Sequence, residues 1–470
     1  MKIRVFIFLF CLFSLHALSH AQERDNSPDE NRRWKAGIAK AVITPQEYMW
    51  MAGYASRDKS ADGKLHDLWA KALVLEDAEE NRVLLITTDI IGFDRDLSVS
   101  ICSRLEEEYG LKRKNIVLSS SHTHSGPVIN HNLSLAYPPF DESQKKQIEN
   151  NRSFIEEQIS TVTGRAISNL APVRLSSGVG IARFAVNRRE NKWDDEMLYS
   201  PDLKGPSDHV VQVIKVSDPS DRPVAVLFGY SCHATTLSIN QWSGDYPGFA
   251  QIELEKTYPG LTAMFFPGFG ADQNPLPRRE VSLAEQYGRE LAIAVERVIE
   301  QPTKNLSSSI QTMYHEIELE LSPPPTIEGL EETLEEGDDW QKRWAAKMKE
   351  KIANGEEFPD SYPNYPVQSW QLGEQTLVVL GGEVVVEYAF ALRDTLGNDL
   401  MLMGYANNVM TYIPSERILK EGGYEGQTSM WVYGHHGTWS PGIEERIVNE
   451  VVRQVELLRN EVPVLTGSLF

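Results

Sequence analysis

The order of apolar runs in this chain predicts an α/β fold, a mixed β-sheet core flanked by helices. Val83–Thr88 and Ile116–Leu118 read as strands on either side of an amphipathic helix, Leu97–Tyr109, which Gly110 stops. That order describes a strand-helix-strand crossover. Val210–Val216 and Pro223–Tyr230 alternate like the two arms of a hairpin. Across 143–170, Phe154, Ile155, Ile159, Val162 and Ile167 trace one stripe at helical spacing, the signature of a helix resting on a core. A parallel crossover and an antiparallel hairpin in one chain make the sheet mixed.

The 470 residues leave room for a large core, and one domain over 35–470 is expected. A hydrophobic fraction of 41% and a charged fraction of 24% are those of an ordinary globular protein. The net charge of −21 argues against a non-specific nucleic-acid binder, because there is no basic excess to neutralise phosphates.

The N-terminus reads as a targeting segment. Lys2 and Arg4 precede the apolar run Val5–Leu15, and Ser19-His20-Ala21 puts small residues at the −3 and −1 positions of a cleavage site. A signal peptide over 1–21 is expected, followed by a polar, disordered linker over 22–34, with export to the periplasm or medium. No later stretch approaches the roughly 18–20 apolar residues of a membrane helix, so no transmembrane segment is expected in the mature chain. Cleavage leaves Cys102 and Cys232, too few for a disulfide framework in a chain of this size.

The chemistry concentrates at the ends of predicted strands. In Asn115–Pro127, NIVLSSSHTHSGP, an apolar run passes through three serines to His122 and His124 and is closed by Gly126-Pro127. In extended chain, residues two apart share a face, so both imidazoles would converge on one spot. That pattern begins a metal site, or a pair of histidines bonded to one another and to the serines. Pro223–Tyr230 runs likewise into His233, with Asp245 twelve residues on as a carboxylate able to orient an imidazole. Asp89 ends another strand, Glu383 follows Thr376–Leu380, and Tyr412 follows the strand Met401–Ala406. Two histidines, a glutamate and a tyrosine on separate strand ends suit a metal site assembled by folding, and zinc takes nitrogen and oxygen ligands of this kind. After Ala182–Val186, Arg188 and Arg189 can bind a carboxylate, sulfate or phosphate if they face a cleft. The loop Pro267–Pro275 is rich in small residues, which lets backbone approach a ligand. Between 326 and 357 acidic residues give way to lysines and arginines, with Trp340, Trp344 and Met348 four apart. This predicts a helical insertion at the surface, resting on its aromatic stripe and placed either as simple packing or as a lid.

From about Ala36 to near the C-terminus, the ordered set AGIAKAVIT, MAGYA, SHTHSGP, CHATT, GFGADQNP, LGGE and NVMTYIPS resembles the catalytic domain of the neutral/alkaline, non-lysosomal ceramidases. The resemblance implies a secreted zinc amidohydrolase. It makes His122, His233, Glu383 and Tyr412 the zinc ligands, His124 a neighbour of the reacting carbonyl, and Arg188 part of a substrate-side element. Two departures stand out. The family loop Gly-Asp-x-Ser-Pro-Asn carries a serine acting on the amide, and here Gln273 is read at its place, with Asp272 beside it. The chain also ends at Phe470, without the family's C-terminal β-sandwich. The expected activity is therefore attack by metal-activated water on an amide or ester of an acylated lipid or glycoconjugate, with Asp272 or His124 moving the proton. Two alternatives stay open. One is a glycoside-cleaving enzyme using carboxylates among Asp89, Asp245, Asp272 and Glu383; the other is a metal-dependent binding protein that has lost turnover.

Overall fold

Residues 34–460 apart from 130, 132 and 192–202 are described by the structure, a computed structural model. The expected signal peptide (1–21) and linker (22–34) lie outside the described residues except for Trp34, which is already the first residue of strand β1 (Trp34–Val42).

The large sheet grows by local pairing. Strand β1 pairs antiparallel with β2 (Trp69–Glu76), which pairs antiparallel with β3 (Arg82–Thr88). Helix α1 (Arg95–Tyr109) then crosses over to β4 (Ile116–Ser120), which lies parallel to β3, so the predicted crossover is present. The helix starts where Asp94 accepts the Leu97 N–H and ends where Gly110 takes the left-handed conformation at φ 70°. Helix α2 (Glu142–Ser168) follows, opened by a capping box of Asp141 and Gln144.

Strand β5 (Ala171–Ile181) pairs with both β1 and β6 (Val210–Ser217), and β6 with β7 (Pro223–Tyr230) as the expected hairpin. Helix α3 (Asp245–Thr257) leads to β8 (Thr262–Pro267), which is parallel to β7. Helix α4 (Val281–Glu300) packs back on α3 and β5. The resulting order is β8-β7-β6-β5-β1-β2-β3-β4.

A second sheet, which the reading of the apolar runs passes over in part, is stacked on the first. Its strands β9 (Ile310–Glu320), β10 (Ser361–Leu372), β11 (Gln375–Leu380) and β12 (Leu400–Met403) are ordered β9-β10-β11-β12. Between β9 and β10 the chain makes helices α5 (Ile327–Glu336) and α6 (Asp339–Ala353), the expected insertion. Helices α7 (Glu387–Leu396) and α8 (Ile443–Asn460) complete the fold.

Side-chain alternation explains the layering. Along β2, Ala70, Ala72 and Val74 face the cluster containing Leu97, Ile101, Ile155 and Ile159 of α1 and α2, while Leu73 and Leu75 face Trp370, Leu377 and Met401 of the second sheet. Each fully buried Val, Leu or Phe contributes roughly 1.5–3 kcal/mol. Both faces of the core strands are thus covered, one by helices and one by the other sheet. Strands β4 and β7 run in opposite directions along the pairing path, yet both deliver histidines to one place. The path between them has six steps, and a twist of roughly 20–25° per step turns one strand most of the way round relative to the other. Strand β8 accordingly comes back against β3 and β4.

Candidate metal centre and active site

Four side chains from four strand ends meet at the convergence. Nε2 of His122 lies 3.2 Å from Oε2 of Glu383, and Nε2 of His233 lies 3.1 Å from the same oxygen. The Tyr412 hydroxyl is 3.2 Å from His233 Nε2. Glu383 and Tyr412 come together because Glu383–Val384 and Tyr412–Ile413 pair as a short parallel ladder, with Glu383 opposite Tyr412. All four side chains are buried.

His122 reaches this point by a route other than strand alternation. The strand has ended at Ser120, and His122 has φ 57°, in the left-handed region that β-carbon-bearing residues rarely occupy. The turn still brings the His122 and His124 rings to 5.0 Å and the His122 and His233 rings to 5.1 Å. Gly53 makes room for it: at φ 99°, a β-carbon there would lie 2.4 Å from the His124 ring.

The surroundings orient the donors. His122 Nδ1 bonds the carbonyl of Ile91, which leaves Nε2 as the outward lone pair. His233 Nδ1 faces the Gly270 carbonyl at 3.3 Å. Tyr433 donates its hydroxyl to Glu383 Oε1 at 2.6 Å. Arg188 donates from Nη2 to the Tyr412 oxygen at 3.1 Å and from Nε to Glu425 at 2.7 Å. Burial works to raise the Glu383 pKa, but His122 and His233 outweigh it and hold the carboxyl well below its usual range. Burial and the nearby Arg188 bring His233 down to about 4. Burial also pushes the Tyr412 phenol well above its ordinary value, with Arg188 pulling the other way.

His124 differs from its neighbours. Both of its ring nitrogens are buried and lack a hydrogen-bond partner among the described residues, an expensive condition unless a ligand supplies partners. Burial and the other two imidazoles hold its pKa well below 6.5, so it is neutral at pH 7. The ligand atoms of His122, His124 and His233 all lie within 4.8 Å of one another. Three buried imidazoles beside a carboxylate and a phenol form a donor set that fits a metal ion with nitrogen and oxygen preferences.

Several carboxylates and one amide read as candidates are engaged elsewhere. Asp272 accepts from the Val386 N–H at 2.8 Å and from Asn187 Nδ2 at 3.1 Å, and it lines neither cavity at the site. Burial raises its pKa to about 6 even so. Gln273 donates to the Ser231 carbonyl and accepts the Asp208 N–H, so its amide is a backbone clamp with no face toward a substrate. Its neighbour Asn274 lines the cavity instead, with Oδ1 accepting from Thr235. Aligning Asp272 with the aspartate of Gly-Asp-x-Ser-Pro also puts Asn274, and not Gln273, at the serine position, so the Gln273 assignment is corrected. Asp245 accepts from the N–H groups of Thr236, Leu237 and Tyr246 and orients no imidazole. Asp89 accepts the Trp69 N–H. With Asp89, Asp245 and Asp272 bonded to backbone N–H groups and Glu383 facing two histidines, these four carboxylates offer no free pair to flank a sugar, which weighs against the glycosidase alternative. Tyr433 and Tyr405, whose ring lies 4.5 Å from that of His122, were not singled out by sequence; neither carries a motif, and only contact reveals them.

Two cavities meet at the centre and share Gly53, His124, Tyr412 and Tyr424. One is the more apolar, walled by Ile91, Leu133, Tyr137 and Trp340 beside His122, His124 and Glu383, and measures about 110 Å³. The other opens among Arg188, Arg278 and Arg279 and measures about 710 Å³.

Residues 34–271, just over half of the chain, match the family model described as neutral/alkaline non-lysosomal ceramidase, N-terminal. The neutral ceramidase of Pseudomonas aeruginosa is 23% identical over an alignment covering 97% of this chain and 76% of that protein. Neutral ceramidase 2 of Arabidopsis thaliana is 33% identical over 54% of this chain, and the match spans only 33% of the plant protein. Among solved structures, the crystal structure of the Pseudomonas aeruginosa neutral ceramidase superposes with a TM-score of 0.71 at 19% identity, covering 93% of this chain and 76% of that one. A mixed sheet with helices is therefore shared with that catalytic domain. On this evidence the chain belongs to the neutral/alkaline non-lysosomal ceramidase family of hydrolases.

Proposed function

We propose that the protein is a zinc-dependent hydrolase that cleaves the amide or ester bond of an acylated lipid or glycoconjugate. The observation that carries the reading is the meeting of His122 Nε2, His233 Nε2, Glu383 Oε2 and the Tyr412 hydroxyl beside a His124 ring with two unpartnered nitrogens. The relatives' description as neutral ceramidases supports an amide as the bond cleaved.

When bound, zinc would supply Lewis acidity, polarising a carbonyl and lowering the pKa of water. His122, His233, Glu383 and Tyr412 would hold it. The remaining work falls to the chain itself. His124, neutral at pH 7, has a lone pair to take the proton of the attacking water. Arg188 holds the Tyr412 oxygen, and Tyr433 holds the Glu383 carboxylate, so neither ligand has to be ordered when substrate arrives. The apolar walls around Trp340 keep bulk water from one side of the reacting bond.

Metal analysis of the purified protein should return one zinc per chain, and His122→Ala or His233→Ala should remove metal and activity together. His124→Ala should keep the metal while lowering kcat by about 10²- to 10⁴-fold. Zinc-loaded protein that cleaves no acyl amide or ester would sink the reading and leave the metal-dependent binding protein in its place. Export belongs to the same proposal: removal of residues 1–21 would leave a mature chain starting at Gln22. N-terminal sequencing of exported protein that found Met1 intact would contradict it.

A further inference from the structure

The two cavities at the centre differ so much in size and charge that together they describe a substrate. The apolar one is about 110 Å³, and the candidate metal ligands His122, Glu383 and Tyr412 already form part of its wall. A cavity of about 150 Å³ holds a single benzene ring, so this space matches an acyl group of about four or five carbons.

The larger cavity is cationic in a specific way. Arg188 and Arg189 also line it, but Glu425 and Glu421 pair with them at 2.7–2.9 Å. Glu190, the other acidic group on its wall, faces Arg417 at 3.6 Å. Arg278 and Arg279 have no carboxylate partner among the described residues. The Arg279 guanidinium donates to the Tyr54 hydroxyl at 2.9 Å and, among the described residues, to no acid. Arg278 is half-buried, and burial together with Arg279 pulls its pKa below the ordinary value. A partly desolvated guanidinium beside a second one is an unfavourable arrangement that an incoming anion relieves. Among the described residues, each acid lining the cavity already faces an arginine other than these two.

We propose that the substrate is a short-chain acyl amide or ester of a polar compound bearing a sulfate, phosphate or carboxylate. The acyl group enters the apolar cavity by Trp340, the scissile bond lies at the junction beside His124, and Arg278 with Arg279 receives the anion. This rests on the hydrolase reading above and narrows it away from long-chain ceramide.

Four matched amides of one amino-alcohol head test it with the zinc-loaded protein: acetyl or dodecanoyl on the nitrogen, with the head hydroxyl free or sulfated. The acetyl, sulfated compound should have the highest kcat/KM, exceeding its unsulfated partner and its dodecanoyl partner by about tenfold or more. Raising salt to high concentration should narrow the sulfate preference and leave the chain-length preference. Arg278→Ala combined with Arg279→Ala should bring the sulfated-to-free ratio to about one, and Arg278→Lys should restore part of it. Equal turnover of sulfated and free heads, or equal turnover of acetyl and dodecanoyl amides, overturns the proposal while leaving the hydrolase reading intact. If none of the four is cleaved, the substrate proposal fails while the broader hydrolase reading is left to the wider test on acyl amides and esters above, and calorimetric titration with the sulfated amino alcohol decides the anion site separately. Binding weakened by the double variant supports the site, and absence of binding to the native protein ends it.

Discussion

Tyr433 carries no motif, yet it holds the carboxylate on which the site is centred. Its hydroxyl donates to Glu383 Oε1 while Oε2 faces both histidines. Partners of this kind typically change metal affinity by about 10- to 100-fold. Tyr433→Phe should weaken metal binding to that extent with the fold unchanged, and competition against a chelator measures it; affinity equal to the native protein would show that Glu383 needs no such support. Asp272 offers a pH-dependent test. Its pKa rises from 3.8 in the unfolded chain to about 6 when buried. Between those values the folded state therefore binds more protons than the unfolded one, so stability falls as pH rises from about 4 to about 6. Two pKa units correspond to about 3 kcal/mol. Asp272→Asn should flatten that decline in denaturant titrations of the chelated protein; an unchanged slope would mean that Asp272 titrates normally. The same residue shows how a loop aspartate, read with His124 as one of two candidates for moving the proton, is placed by its contacts. An aspartate in a small-residue loop looks functional in sequence, whereas its oxygens are committed to Val386 and Asn187.

At the scale of elements, crossover, hairpin and long helices were legible because each writes its own period into the chain. Helix α2 was expected over 143–170 and spans Glu142–Ser168. Strands β9 and β10 were passed over for a physical reason. SYPNYPVQSWQL contains two prolines, and its buried Gln368 spends its amide on the Lys114 and Ile116 carbonyls, so the alternation of apolar residues is broken by polar groups satisfied only in three dimensions. The insertion is the two-helix unit α5–α6, resting on its tryptophans. Trp344 stacks on Trp431 at 4.2 Å and donates to the His435 carbonyl, while Trp340 lines the apolar cavity. It is thus both packed and a wall of the site. Trp344→Ala removes a fully buried ring, a loss of about 3–5 kcal/mol. Hydrogen exchange should then accelerate through 327–353 while the large sheet stays protected; uniform acceleration would show that the helical pair does not open by itself.

For the whole molecule, two sheets share one apolar interior with helices outside both. Cys102, on α1 in the cluster under α1 and α2, and Cys232, in the cluster under α3 and α4, are free and buried, and burial raises both thiol pKa values. Neither is a reactive thiol of the exposed, low-pKa kind. Both should label with a thiol reagent only at the rate of opening of the fold, and no faster in the chelated protein's native state than its global stability allows. Rapid labelling of Cys232 under native conditions would show that the loop carrying His233 opens independently.

Local chemistry decided much of this protein in advance. The periods of α1, α2 and α4, the hairpin β6–β7, and histidines, Glu383 and Tyr412 at strand ends all follow from neighbours in the chain, because helical and strand spacing are local properties. The resemblance carried by SHTHSGP and its companion motifs named the same four ligand candidates. Tertiary structure decided what depends on groups distant in sequence. Twist accumulated over the large sheet brings β4 and β7 together, and a left-handed His122 turns two imidazoles toward one point. Pairing of Glu383–Val384 with Tyr412–Ile413 sets two ligand candidates side by side. Which polar groups face the cavity was settled there too: backbone donors and carbonyls far along the chain claimed Asp272, Gln273 and Asp245, while Asn274, Arg278 and His124 were left open to a ligand.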